Sequence, residues 1–511
     1  MTSHFPSVYN RCRVVSGLQW QYFDNLSSSR HIVIVKRFLK VTLLALTFTC
    51  CRQVSAVDPA VISSWVHAIY GAIRVERLSP PVASRLAVYA TAALYGGVAS
   101  SNSHLAPLDG ALNGIPVLPR SRNAGDTDGT IVAVVAERVV LDSLLSEALP
   151  TTTAALGRLA DSLLGARATN GIPSGVQSQS DTLGRKIGLA IVAWSRTDGF
   201  NGTRGRPFVA STGDGFWIND APANTYATQN LSAVSELISL DNPANQQRAG
   251  NSSDRGLIMS RPKSSSIKTL PAVNISGASE PYWNEVRPFV LTKWNECTVA
   301  APPQYSRDST QDLYKRAHEV YDFSRKLTAE QRTIALFWAD NSGETGTPVG
   351  HWLSIASQMI GEQHLSAEQA VQLLLGTAVA QADAFIAAWG YKYQYHTIRP
   401  RTYIRRLIDT TWEPLIPTPP FPEYPSGHST QSAAAATVIS ALLGTRAFTD
   451  STSISIGHDV RKFPSFQAAS AEAGLSRVYA GLHFQSGNLA GLALGHCIGE
   501  RVMQRIGAHS K

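Results

Sequence analysis

Apolar residues recur along most of this chain at the three- and four-residue spacing of amphipathic helices, with Ala and Leu at most of those positions. In the first half the pattern predicts helices over roughly 58–76, 81–99, 129–147, 149–168 and 178–197. Ser79-Pro80-Pro81 separates the first two, and proline suits a helix start because the first N–H groups have no partner inside the helix. From 198 to about 305 the chain turns to Gly, Asn, Ser, Pro and Trp with no sustained period. An irregular stretch of that length is functional or wraps over a scaffold. Helical spacing resumes over about 308–326, 328–340, 348–361, 366–389, 427–444, 467–480 and 484–506, and no alternating run predicts a sheet. The expected architecture is all-α: two packed helical bundles separated by the loop-rich segment. Residues 57–305 hold the N-terminal bundle and the loops, and 306–511 the C-terminal helical domain.

Composition fits a globular body, at 44% hydrophobic and 16% charged residues over 511 positions. A net charge of +8 would suggest a nucleic-acid or membrane partner, but residues 1–56 carry seven basic side chains and one acid, six of those eight charges. The remainder, 38 basic against 36 acidic residues, gives no reason to expect a nucleic-acid partner. Lys36, Arg37 and Lys40 precede the apolar run Val41–Cys51 and the small-residue pattern Val54-Ser55-Ala56, the layout of a secretory signal whose translation start lies near Val35. Residues 1–56 are therefore expected to be an export segment, with the mature chain secreted or periplasmic. The apolar run is ~11 residues where a spanning helix needs roughly 20. Later apolar stretches carry Gln369, Gln381 or Asp383, so no membrane span is expected in the mature chain. Cys297 and Cys497 then remain, enough for one disulfide and too few for a zinc site. Asn-x-Ser/Thr sequons at Asn201, Asn230, Asn251 and Asn274 mark the loop-rich stretch as surface. Self-association is compatible with such loops.

Three segments in the last quarter gather charge and histidine in apolar surroundings. The first runs from Lys392 to Arg399-Pro400; seven residues is close to two helical turns, but Pro400 disfavours helical geometry at 399, which sets Arg399 on the loop after a helix end. The second is Phe421-Pro422-Glu423-Tyr424-Pro425-Ser426-Gly427-His428 ahead of an Ala-rich helix. Unpaired N–H groups at that helix start favour an anion, Gly427 allows close backbone approach, Ser426 offers a hydroxyl, and His428 exchanges a proton near neutral pH. The third is Ser476-Arg477-Val478-Tyr479-Ala480-Gly481-Leu482-His483, where a break at Gly481 lets Arg477 close one element and His483 open the next. Each segment alone reads as ordinary solvated or capping residues. Together they supply three cations, two neutral donors and two histidines, a set that requires a multiply charged oxyanion such as phosphate or vanadate.

The ordered set Lys392-x6-Arg399-Pro400, Pro425-Ser426-Gly427-His428 and Ser476-Arg477-x5-His483 resembles the signature of the type 2 phosphatidic acid phosphatase (PAP2) and vanadium-dependent haloperoxidase superfamily. Outside it, Ser79-Pro80-Pro81-Val82-Ala83, Pro281-Tyr282-Trp283 with Pro288-Phe289, and Gly350-His351-Trp352 are similar to the soluble exported haloperoxidase-like members, over about 58–506. For a haloperoxidase the resemblance implies vanadate as cofactor, with His483 as axial vanadium ligand. Lys392, Arg399, Ser426, Gly427 and Arg477 would then hold the equatorial oxygens, with His428 as acid/base. Hydrogen peroxide and halide are the implied substrates, and Lys392 helps activate the peroxide. For a soluble acid phosphatase acting on a phosphomonoester, it implies His483 as the nucleophile that forms a phosphohistidine and His428 as the proton donor.

Trp389 and Phe421 stand where haloperoxidases hold halide-pocket aromatics, although core packing explains them equally well. One departure is Gly487, four residues after His483, where the superfamily commonly carries an aspartate. Loss of a carboxylate that orients His483 weakens a nucleophile more than a metal ligand, which tilts the reading toward haloperoxidase. It also leaves room for a third reading, an oxyanion-binding protein without turnover. Asp383 is read either as a partner of a cage arginine or as a plain helix-face acid.

Overall fold

The computed structural model describes residues 57–101, 104–123, 125–220 and 277–508. The expected export segment, start site and the sequons at Asn230, Asn251 and Asn274 lie outside the described residues. Asn201 is exposed in a short helix.

The first group of helices is α1 (Pro59–Val75), α2 (Pro80–Ser101), α3 (Gly129–Leu144), α4 (Pro150–Ala168), α5 (Ser174–Ser195) and the single turn α6 (Phe200–Thr203). The second is α7 (Asp312–Lys326), α8 (Ala329–Phe337), α9 (Thr347–Glu362), α10 (Ala367–Tyr395), α11 (Pro400–Leu407), α12 (Gly427–Leu443), α13 (Phe466–Tyr479) and α14 (Gln485–Ala508). Starts are capped as the sequence suggests: Asp128 accepts from the N–H groups of Thr130 and Ile131, Ser366 and Gln369 form a capping box, and α1, α2, α4, α9 and α11 carry proline in the first turn.

The all-α expectation holds, with one small addition. An antiparallel pair, β1 (Phe448–Asp450) with β2 (Arg461–Phe463), joins α12 to α13. Three-residue strands are too short to show a period of two. Helix α11 also escaped the pattern, because its eight residues include Arg401, Arg405 and Arg406 and only Pro400, Thr402, Tyr403 and Ile404 turn inward.

Helix α10 is the central element, buried along nearly its whole length and packed on α2 on one side and on α12 on the other. Helices α2 and α10 are both long and apolar enough to cross a membrane by length and composition, yet both are almost wholly covered by the protein itself. On α14, glycines at 491, 495 and 499 face α12. A Cβ there would meet the Ser426 carbonyl oxygen at 2.6 Å, the Ala433 Cβ at 2.9 Å and the Thr437 Cβ at 2.6 Å, so the small residues set how closely the two helices lie.

The described parts of the irregular region form a strap over α10. The Asp383 carboxylate accepts from the backbone N–H groups of Phe289, Val290 and Leu291 at 2.6, 2.8 and 2.9 Å. Asp383 is thus neither a partner of a cage arginine nor a helix-face acid, but a buried cap for the strap. Burial raises its pKa to about 6, against those three hydrogen bonds. Cys297 and Cys497 form a disulfide that ties the strap to α14 across 200 residues of chain. Reduction should lower unfolding stability by about 2–5 kcal/mol, measured by urea denaturation with and without reductant.

Candidate active site

The three motif segments converge. Lys392 lies in the last turn of α10, which ends at His396 in left-handed geometry (φ 51°). Arg399 follows as the extended residue before Pro400 (φ −84°, ψ 155°), off the helix as Pro400 requires. Ser426 caps α12, its hydroxyl accepting from the Ser429 N–H at 3.3 Å, and Gly427 is the first residue of that helix, so the helix start adjoins the site. Arg477 sits in the last turn of α13. Gly481, at φ +80°, then turns the chain so that the His483 N–H donates to the Arg477 carbonyl at 3.2 Å.

Lys392, Arg399 and Ser426 are fully buried and Arg477 and His483 nearly so. Lys392 Nζ donates to the carbonyls of Pro422 and Glu423 at 3.0 and 2.8 Å, leaving one of its three N–H bonds. Arg399 donates to the carbonyl of Phe421 at 2.9 Å, to that of Leu482 at 2.9 Å and to His483 Nε2 at 3.1 Å. Arg477 donates to the carbonyl of Trp338 at 2.8 Å. A guanidinium can only donate, so His483 Nε2 is the bare, accepting nitrogen and Nδ1 carries the proton. His428 is partly exposed, yet its Nε2 is shielded from solvent and makes no hydrogen bond among the described residues.

Burial and the neighbouring cations act on every basic group. Lys392 is held well below its usual pKa by burial and then by Arg399, with Glu423 opposing. His428 is lowered by burial, then Arg477, His351, Lys392 and Arg399. His483 is lowered by burial, then Arg399, Lys392 and Arg477. Both histidines are therefore neutral imidazoles in a field that favours an anion.

Behind Arg477 lies a cluster that the motifs do not contain. Burial alone would depress His351, but its Nδ1 bonds Asp340 at 2.9 Å and its Nε2 bonds Asp450 at 2.8 Å, and these carboxylates push it up to about 10. Its ring stacks on Trp338, centroids 4.4 Å apart, the residue whose carbonyl holds Arg477.

A further residue was not legible in the motifs. Glu423, buried in the loop before α12, accepts from His483 Nδ1 at 2.8 Å and from the Phe484 N–H at 3.2 Å. Burial raises it to about 7, against Lys392, Arg399 and the Phe484 N–H. Gly487 therefore does not leave His483 without a carboxylate, because Glu423 supplies one from the loop before α12.

The two aromatics also join the site. Trp389 and Phe421 have ring centroids 4.8 Å apart, and Lys392 Nζ lies 5.7 and 5.1 Å from them. Arg399 Cζ lies 4.8 Å from the Phe421 ring. The strap sets this pair, since the Ser279 carbonyl accepts from Trp389 Nε1 at 3.1 Å and the Ser279 N–H donates to the Pro420 carbonyl at 2.8 Å.

The family model for the VCPO second helical-bundle domain matches residues 372–511, the part of the chain that holds all of these site residues. This match, with the solved structures below, supports a likeness to the superfamily of vanadium haloperoxidases and PAP2-like proteins. Among solved structures it is similar to one described as the first bacterial vanadium-dependent iodoperoxidase. That match is 29% identical, covers 88% of this chain and 97% of the other, and has a TM-score of 0.72. A holo-type bacterial vanadium-dependent chloroperoxidase shares the fold at 16% identity and a TM-score of 0.58, over 86% of this chain and 94% of the other. No curated protein matches.

Proposed function

We propose that the chain is a vanadate-dependent haloperoxidase that oxidises halide with hydrogen peroxide to hypohalous acid. The observation that carries this reading is a bare, neutral His483 Nε2 facing a pocket of three buried cations, with an aromatic pair beside Lys392. Similarity to the solved bacterial iodoperoxidase supports it.

The residues present fit an oxyanion. The donor set is cationic and would repel a bare divalent ion, and the shielded His428 Nε2 has no hydrogen-bond partner among the described residues. Lys392, Arg399 and Arg477 would neutralise bound vanadate, the Ser426 hydroxyl and Gly427 N–H would orient it, and His483 would hold it through Nε2. Vanadate when bound supplies the Lewis acidity that makes peroxide reactive toward halide. His428, kept neutral by burial and Arg477, accepts the peroxide proton at Nε2 and returns one to the product oxygen. Trp389 and Phe421 exclude water on the Lys392 side.

One observation favours a phosphatase as the second reading. Glu423 on His483 Nδ1 makes Nε2 a better nucleophile, as a phosphohistidine mechanism needs. It also removes the feature that suggested a binding protein without turnover. The readings separate on one preparation assayed for halide oxidation after vanadate loading and for p-nitrophenyl phosphate hydrolysis without vanadate. Halide oxidation is expected to dominate. Hydrolysis with no halide oxidation would favour the phosphatase.

Export is part of the same proposal. The Cys297–Cys497 disulfide suits an oxidising compartment, and the basic and apolar run before residue 57 suits a secretory signal.

A further inference from the structure

We propose that Glu423 is the positioning residue of His483, and that it can act only because residue 487 has no side chain. Two independent observations meet here. The first is the tautomer: Arg399 donates to His483 Nε2, so the ring proton is on Nδ1, and Glu423 is its hydrogen-bond partner among the described residues. Without that acceptor a buried N–H would be left unsatisfied, and the ring would gain by turning or moving its proton to Nε2, the atom whose lone pair must stay free to bond the central atom of an oxyanion such as vanadate.

The second is steric. A Cβ built on Gly487 would lie 2.9 Å from the Glu423 carboxyl carbon and 3.0 Å from its Oε2. The backbone at 487 cannot retreat easily, because its carbonyl accepts from the Ser426 N–H at 3.0 Å, at the start of α12. A carboxylate can therefore reach His483 from position 423 or from position 487, but not from both. Glu423 also brings the two ends of the site together: its carbonyl holds Lys392 Nζ and its carboxylate holds the His483 ring and the chain entering α14.

This inference rests on the oxyanion site proposed above and not on the halide chemistry, so its test reads binding and protonation. Orthovanadate is titrated calorimetrically into the full chain, with inorganic phosphate as the oxyanion that forms no bond to nitrogen, and the histidine nitrogens are read by 15N NMR; the affinities below are those for orthovanadate. E423Q keeps an acceptor and should retain the Nδ1–H tautomer with a loss of a few-fold in affinity. E423L keeps the bulk without the acceptor and should lose roughly 10–100-fold in affinity, with the tautomer scrambled. G487D alone should be impaired by the clash, whereas E423A/G487D should recover most of what E423A loses. Wild-type affinity in E423L, or no recovery in the double variant, would overturn the proposal. Should E423L not fold, the wild-type spectrum decides, because a proton on His483 Nε2 is incompatible with it. If wild type binds neither oxyanion, the functional reading fails as well, which distinguishes the two failures.

Discussion

Alanine at His483 is expected to abolish oxyanion retention, whereas alanine at His428 should leave the oxyanion bound and slow turnover by roughly 10²–10⁴-fold, the usual worth of a positioned acid/base. The difference follows from what each ring touches. His483 Nε2 lies 3.1 Å from Arg399 Nη1 and Nδ1 lies 2.8 Å from Glu423, so removing it takes away the proposed ligand and leaves a buried carboxylate without its imidazole. His428 makes no hydrogen bond through Nε2 among the described residues, and its loss leaves Lys392, Arg399, Arg477 and Ser426 in place. Calorimetric titration of both variants with orthovanadate checks this, with circular dichroism to confirm that each folds. Equal loss of binding in the two would contradict the assigned roles.

The second large effect lies behind the cage. His351→Leu should cost about 3–5 kcal/mol of unfolding free energy, because it leaves Asp340 and Asp450 as two buried acids without their imidazolium. Because the folded pKa of His351, about 10, is raised above its ordinary value near 6.5, its stabilisation is complete below pH 6.5 and is lost as pH rises through about 10. Across that window the wild type should lose roughly 1.4 kcal/mol per pH unit from this group, and the leucine variant should not. At the acid end the sign reverses. Despite its burial, Asp450 is held below its ordinary value by His351, so its contribution is present above about pH 4 and disappears as pH falls through the lower folded value. Urea denaturation of both proteins across pH measures all of this. A wild-type stability that is flat between pH 6.5 and 10 would contradict the assignment. Because Trp338 links the cluster to Arg477, weaker oxyanion binding should accompany the lost stability.

What could be read from sequence was what is local. Helix positions followed from spacing, and the break at Gly481 and the off-helix place of Arg399 followed from backbone rules for glycine and proline. That Lys392, Arg399, Ser426, Arg477 and His483 come together was legible because each segment is short and chemically dense. Glu423 was not, although it stands inside a quoted segment. Its meaning depends on contact with a histidine 60 positions later, and its spacing carries no signal of that contact. The one hint is the missing side chain at 487, which by itself suggests the loss of a carboxylate and in the structure marks the space another carboxylate fills. Asp383 failed for a related reason. Its partners are backbone N–H groups more than 90 positions earlier, in a stretch without periodicity. The Asp340–His351–Asp450 cluster likewise joins a loop, α9 and β1, and the segment Gly350-His351-Trp352 gives no sign of the two carboxylates it meets.

Whether these residues form a vanadate site for halide oxidation is decided by titrating the purified chain, freed of phosphate, with orthovanadate while following bromide and iodide oxidation by hydrogen peroxide. The rate is expected to rise from background, saturate at one vanadate per chain, and fall when phosphate competes. A chain that binds vanadate at this site and oxidises neither halide would contradict it.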